Sequence, residues 1–369
     1  MNGHQNSSPI ERLASALTEE TLAEPLRAYL RVKLNCRSLG YSESPKKLTG
    51  GFDTSIFRFS LAGGPEPLSD NLVIRLFGPS NVSARAIFEA AVQSAVAELD
   101  YPAPEVLVTA TRDEILGREF LIMQHMLGHT LGEELMATDG QGIAQRLKRL
   151  LPRVPEKVNR LWSIMAAAHF RLHQLSVERL QNALTAVGIP VTAFTLEGRL
   201  DGLRLASLQD KLAGLRPVVA WLDANRPPQH RLAICHCDFQ PFNILLDNGQ
   251  VSGVLDWSNT MIGDPAMDVS FTLVAIADAP IKIPRAIAPI VRAKLRAAAQ
   301  AYSRAYRRLS DLDDRAVDYY QVFACASQPK WALETMIHGH GSVAFASKDG
   351  AARLVRHIES LSGLELRVG

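Results

Sequence analysis

The stretch Ile234–Asp268, ICHCDFQPFNILLDNGQVSGVLDWSNTMIGDPAMD, constrains the fold more tightly than any other part of the chain. Two apolar runs, Asn243–Leu246 and Val251–Leu255, flank the tripeptide Asp247-Asn248-Gly249. Asn and Gly tolerate positive φ, so this arrangement predicts a tight β-hairpin. Such a hairpin carries Asn243 at one foot and Asp256 at the other, and antiparallel pairing brings the two feet together. Leu232–Ile234 leads into the loop His236–Asn243, which places Asp238 at the entrance to the first strand. Three polar groups therefore converge through local contacts alone.

A carboxylate that orients a hydroxyl, with an amide and a second carboxylate that hold a metal, is the equipment for phosphoryl transfer from a metal–nucleotide. Asp247 and Asn248 are read as turn residues only. The pattern H-x-D-x4-N (His236, Asp238, Asn243), then L-D-W (Leu255–Trp257), then G-D-P-x-x-D (Gly263–Asp268) resembles the kinases of the aminoglycoside phosphotransferase and choline kinase family. These are small-molecule kinases related to protein kinases. The resemblance implies an α+β, bilobal protein-kinase-like fold with a small antiparallel-sheet N-lobe and a mostly helical C-lobe. It also implies Asp238 as catalytic base, Asn243 and Asp256 as ligands of Mg²⁺, and His236 as a residue that fixes the loop. Cys237 stands where the family often has Gly, a departure expected to alter loop packing more than chemistry. Asp264 and Asp268 are expected to brace the metal loop and cap the helix that follows.

At 369 residues the chain can build two lobes with sizeable cores. A formal net charge of +2 offers no basic stripe, so neither nucleic acid nor an anionic membrane surface is an expected partner. Four cysteines in so long a chain make no disulfide framework, and Cys235 and Cys237 are expected as reduced, packed thiols. The opening MNGHQNSSPIERL lacks the pattern of a secretory signal, and no apolar run reaches membrane-spanning length. A cytoplasmic enzyme is the expectation.

The nucleotide clamp is sought upstream. G-x4-G-K-[ST] is absent, which removes a P-loop architecture. Instead LTGGFDTSIFRF (Leu48–Phe59) places Gly50 and Gly51 in a turn before an alternating strand on which Phe57 and Phe59 share a face. Asn71–Phe77 reads as a second, buried strand. The turn, through Gly50, Gly51, Thr54 and Ser55, is expected to lie over phosphates. Arg75, inside the second strand, takes the place of the Lys usual in the family. A buried Arg demands a partner and presents a planar fork rather than a point charge. The helix Ala86–Leu99 buries Phe88, Val92, Val96 and Leu99 on one face. Glu89 on its border is the expected partner of Arg75, with Glu98 as the alternative. Beyond Pro102-Ala103-Pro104, the strands Val106–Thr109 and Phe120–Met123 surround a turn at Leu116-Gly117. By resemblance Gln124, His125 and Met126 form the hinge that contacts the base of ATP or GTP.

The expected organisation is a helical extension over 1–44, a nucleotide-binding lobe over 45–127 and a helical lobe over 128–369 with catalytic loop and acceptor pocket. The extension carries Leu13, Leu17, Leu22, Leu26 and Leu30. Val158, Leu161, Trp162, Met165, His169, Leu172 and Leu175 mark one buried helical face, with His169 a satisfied core residue; the resemblance implies that His173 packs under the catalytic loop. Further helices are expected at Leu208–Ala224, Val269–Ile276, Ala286–Arg307, Arg315–Met336 and Ala351–Leu361. The function expected is transfer of the γ-phosphoryl group of ATP or GTP to a hydroxylated small molecule. Beyond Asp268, Lys and Arg outnumber Asp and Glu, which favours a neutral, macrolide-like acceptor or metabolite over a polycationic aminoglycoside. Tyr319, Tyr320, Trp331 and His338 are candidates for its pocket, with ordinary core packing the commoner role for most of them. Two other readings compete. One is an inert binding protein on a kinase fold, suggested by Arg75 and Cys237. The other is a metal-dependent hydrolase using His236, Asp238, Asp256, Asp264 and His338-Gly339-His340, for which no H-E-x-x-H pair is present. Oligomeric state is not legible.

Overall fold

Five runs pair as one antiparallel sheet of order β1-β2-β3-β5-β4 in the computed structural model: β1 (Gly40–Lys47), β2 (Thr54–Ala62), β3 (Leu72–Phe77), β4 (Val106–Ala110) and β5 (Phe120–Gln124). The structure describes residues 18–48, 54–69, 71–78, 84–111, 116–137, 156–228, 231–279, 281, 283–337 and 348–366. The chain divides into two compact units. One comprises Met1–Ala97, Pro104–Met126 and Thr335–Ser342; the other comprises Glu98–Ala103, Leu127–Glu334 and Val343–Gly369.

The first unit is the sheet unit. All six residues of β3 are buried, as a central strand flanked by β2 and β5 requires. Polar, proline-containing β1 lies at the sheet edge, with register shifts near Glu43, which is why its sequence showed no strand pattern. Phe57 and Phe59 both point into the core with Ile74, Phe120 and Ile122. The helix α1 (Glu19–Lys33) starts at a capping box made by Thr18 and Thr21. It inserts Leu22, Leu26 and Leu30 into that same core. Leu13 and Leu17 lie outside the described residues. The helix α2 (Arg85–Ala97) buries Phe88, Glu89, Val92 and Val96, and ends one residue before Glu98, which is exposed.

The second unit is mostly helical: α3 (Leu131–Ala137), α4 (Glu156–Leu172), α5 (Val177–Ala186), α6 (Leu196–Ser207), α7 (Arg216–Ala224), α8 (Pro265–Ala277), α9 (Ala288–Arg307), α10 (Asp314–Ile337) and α11 (Lys348–Ser362). The single helix expected over Leu208–Ala224 is corrected. A 3₁₀ segment, Asp210–Leu215, separates α6 from α7, and Pro217 sits in the first turn of α7, where its missing N–H costs nothing. Two small strand sets carry the loops of interest. One has order β6-β8-β9, built from β6 (His129–Thr130), β8 (Ile244–Asp247) and β9 (Gln250–Val254). The other pairs β7 (Ala233–Cys235) with β10 (Met261–Gly263). The predicted hairpin is β8–β9. Asp247 pairs with Gln250, and Asn248 and Gly249 hold φ of 49° and 76°, the left-handed pair a two-residue turn needs. Among the described residues no helix is long and apolar enough to cross a membrane.

Leu26 is fully buried in the sheet unit's core, so helix α1 should be integral to that unit. Leu26→Ala is expected to destabilise by about 2–5 kcal/mol, read as a lowered denaturant midpoint with unchanged slope. A change within error would show that α1 contributes no core.

Candidate active site

Asp238 lies on the loop between β7 and β8, and the backbone of that loop is gripped from α8. Asp268, buried in the first turn of α8, accepts the N–H of His236 at 2.5 Å and of Cys237 at 2.7 Å. Thr272, one helical turn on, donates its hydroxyl to the carbonyl of Phe239 at 3.1 Å. Asp268 and Thr272 share a helix face, so one rigid element holds both sides of the loop. Asp264 caps α8 by accepting the Ala266 N–H at 2.8 Å, as expected. Asp268 differs from expectation: it braces the loop of Asp238 rather than a metal loop.

Cys237 adopts φ 57°, a backbone region that favours glycine. That geometry accounts for the Gly common in the family at this place. His236 is buried and spans the loop: Nε2 lies 3.0 Å from the Leu255 carbonyl, and Nδ1 lies 3.2 Å from the Asp238 N–H. A neutral ring that donates from Nε2 and accepts at Nδ1 satisfies both contacts, and burial lowers its pKa, which favours that form.

The polar groups predicted to converge do so. Asn243 donates from Nδ2 to the Asp238 carbonyl at 2.9 Å and to Asp238 Oδ2 at 3.0 Å. Asn243 closes a 3₁₀ turn, Pro241–Asn243, rather than opening the strand, which starts at Ile244. Across the hairpin, the Leu255 N–H reaches the Asn243 carbonyl at 2.8 Å, placing Asp256 beside it. Asp256 is itself left-handed at φ 65°, and Ser258 donates to its Oδ1 at 2.7 Å. Removal from water and then the charge of Asp256 raise the Asp238 carboxyl well above the usual carboxylate range. Asn243 presents an amide oxygen, and Asp238 and Asp256 are neighbouring carboxylates. Hard oxygen donors around like charges fit a divalent cation such as Mg²⁺.

Under this loop lies a buried cluster in which His169, expected as a satisfied core residue, and His173, expected beneath the loop, both meet Asp268. His169 Nε2 is 2.9 Å and His173 Nε2 3.2 Å from Asp268 Oδ2. Their Nδ1 atoms meet the hydroxyls of Tyr302 at 2.5 Å and Tyr306 at 2.6 Å. The His169 ring also stacks on Phe239 at 4.0 Å between centroids. The four-residue spacing of the histidines, one in α4 and one just past its end, was the available signal; Asp268, far along the chain, was not tied to it.

In the sheet unit, Arg75 Nη1 lies 2.6 Å from Glu89 Oε1, and both side chains are buried. Thr54 and Ser55 open β2 opposite Phe77 and Leu76. The Gln124 N–H donates to the Glu105 carbonyl at 3.0 Å and the His125 N–H to the Asn71 carbonyl at 2.6 Å, while Met126 follows β5 half-buried. Gly50, Gly51, His338 and His340, and the side chain of Trp331, lie outside the described residues. Tyr319 and Tyr320 pack in the core, the commoner role expected for them: they are 1% and 3% exposed, and Tyr319 stacks on Trp221 at 6.0 Å.

With this geometry in place, comparison with known proteins is direct. Residues 45–313 match the profile of the phosphotransferase enzyme family. The chain belongs to that family. It is 27% identical over 225 residues to the aminoglycoside 3'-phosphotransferase of Streptomyces fradiae, covering 59% of this chain and 75% of that protein. It is also 25% identical over 221 residues to mouse (Mus musculus) acyl-CoA dehydrogenase family member 10, covering 56% of this chain but only 19% of that protein. The chain thus spans about a fifth of the length of that relative. Among solved structures, aminoglycoside phosphotransferase APH(4)-Ia aligns with a TM-score of 0.56 at 17% identity, over 93% of this chain and 100% of that one. A GDP complex of an aminoglycoside 2'-phosphotransferase aligns with a TM-score of 0.53 at 18% identity, over 92% of this chain and 97% of that one. The expected kinase-like, sheet-plus-helical fold is therefore the fold of this protein.

Two outcomes follow from these contacts. Arg75→Met deprives buried Glu89 of this partner and is expected to cost about 3–5 kcal/mol, whereas Arg75→Met with Glu89→Leu should recover most of it in chemical denaturation. Burial first, against the opposing charge of Asp268, lowers the pKa of His169 to about 4 from 6.5. The unfolded chain then takes up the proton first, so stability falls as pH drops from about 6.5 towards about 4. His169→Gln should flatten the melting temperature in that window; an unchanged slope would assign the acid lability to other groups.

Proposed function

We propose that the chain transfers the γ-phosphoryl group of a nucleoside triphosphate, ATP or GTP, to the hydroxyl group of a small-molecule acceptor. Membership of a phosphotransferase family supports the reaction class. The observation that carries the assignment of roles is the Asn243 amide bonded to the Asp238 carboxylate beside Asp256. Asp238 orients the acceptor hydroxyl and takes its proton as the new O–P bond forms. The bond between the γ-phosphorus and the β–γ bridging oxygen breaks, and a nucleoside diphosphate leaves. The raised carboxyl of Asp238 makes it a stronger proton acceptor than an ordinary Asp once ionised. Asn243 and Asp256 would hold Mg²⁺, which when bound neutralises the phosphate charge. Arg75, kept in one orientation by Glu89, is the cation of the sheet unit suited to phosphate oxygens. Gly50, Gly51, Thr54 and Ser55 are proposed for the phosphates, and Gln124, His125 and Met126 for the base. A neutral hydroxyl compound is the proposed acceptor class, on the Lys and Arg excess beyond Asp268.

The test is a phosphoryl-transfer screen over hydroxylated metabolites and antibiotics with ATP and with GTP, read by product mass. Asp238→Asn is expected to lower kcat by about a hundredfold to ten-thousandfold with thermal stability retained. Asp256→Ala should abolish Mg²⁺-dependent transfer. Full activity in either variant removes the role assigned to that residue.

A further inference from the structure

Phe242 is the one side chain of the catalytic loop whose placement the chemistry above leaves unused. It is 49% exposed, although the loop around it is polar and its neighbours are committed. Gln240 donates its N–H to the Asp238 carbonyl at 2.9 Å and accepts the Asn243 N–H on its own carbonyl at 2.9 Å. Phe242 sits between them in the Pro241–Asn243 turn, where Pro241 restricts the backbone. Its ring lies against the backbone of Gly132 in the first turn of α3. A Cβ added at Gly132 would come within 2.6 Å of two ring carbons and 2.9 Å of a third. Gly132 is thus the seat of the ring, and any larger residue displaces it.

The apolar surface does not end at the ring. Met136 is 61% exposed and lies one helical turn beyond Gly132 on the same face of α3. Side chains on a helix lean towards its N-terminus, so Met136 leans back towards the seat of Phe242. A large aromatic and a flexible thioether thereby form a short apolar strip that starts one residue from Asn243. Consecutive Cα atoms are about 3.8 Å apart, which puts this strip within a small molecule's length of the Asp238 carboxylate.

We infer that Phe242, seated on Gly132 and extended by Met136, is a specificity element that receives the apolar part of the acceptor whose hydroxyl Asp238 orients. The inference rests on the phosphoryl-transfer reading and narrows its acceptor class to alcohols with an apolar body. A triphosphate is polyanionic and gains nothing from an aromatic face, and the base is assigned to Gln124–Met126. The acceptor is the reactant with apolar surface to bury there.

Primary alcohols sharing one hydroxyl and graded in apolar area test it: ethanol, butanol, hexanol and phenethyl alcohol, with ATP and GTP, in the full chain. In the native protein, acceptor kcat/KM should rise along the series. Phe242→Ala should lower it by about tenfold for the largest alcohol, through acceptor KM, and leave ethanol and the nucleotide KM unmoved. Gly132→Ala keeps the ring but shifts it, and should weaken the same alcohols. Phe242→Leu, apolar and of similar bulk, should restore part of the gradient. The inference is overturned if the gradient is absent in the native protein or survives in Phe242→Ala. A rise in nucleotide KM instead of acceptor KM also overturns it. Failure of the reading beneath it has a different signature: no Mg²⁺-dependent nucleotide turnover in the native chain with any acceptor, which removes both.

Discussion

A single buried carboxylate organises the second unit. Asp268 is fully enclosed, and an anion there persists only because donors surround it: two backbone N–H groups of the Asp238 loop and the imidazoles of His169, in α4, and His173, just past its end. Burial pushes its carboxyl up, but His169 and then His173 outweigh that and hold it far below the usual range. The consequence is mechanical. A helix cannot shift relative to the loop without stripping donors from a buried charge, so α4, α8 and the loop of Asp238 behave as one piece. Cys237 can be kept in a left-handed conformation because the Asp268 contact to its N–H over-determines it.

That rigidity is what the proposed chemistry requires. Asp238 must be placed to within a fraction of an ångström for proton transfer, and its position is set by contacts at both ends of the loop. Asp268 and Thr272 act from below, and the Asn243 amide acts from the hairpin side. In the sheet unit the same principle appears with opposite charge. Arg75, on a wholly buried strand, is held by Glu89 from α2. Each unit therefore spends buried charge on orienting one polar group, a use of ion pairs better suited to positioning than to stability.

Much of this was readable in the chain. The hairpin was legible because its turn residues, Asn248 and Gly249, demand a backbone that few sequences can adopt, and its apolar flanks are contiguous. Glu89 was legible because helical periodicity places it on the border of a buried face. Strand β1 was not, since a polar edge strand with bulges has no alternation to detect. The break at Asp210–Leu215 was missed because the apolar spacing of 208–224 mimics a helix and only tertiary packing chose the 3₁₀ turn. Tyr319 and Tyr320 were expected chiefly in the core, with the acceptor pocket as the other role; the neighbours they pack against, such as Trp221, are ones no spacing reveals.

By itself the sequence determined the local chemistry: which carboxylates and amide meet around a hairpin, and hence which reaction class is proposed for them. Those groups lie within 20 residues of one another, so short-range backbone geometry suffices to join them. The tertiary structure alone decided what holds them still and where the exposed Phe242 ring is seated. Asp268 meets His169 across 99 residues of chain, and Phe242 meets Gly132 across 110. Contacts so distant are set by helix packing, whose outcome depends on the whole core rather than on any motif.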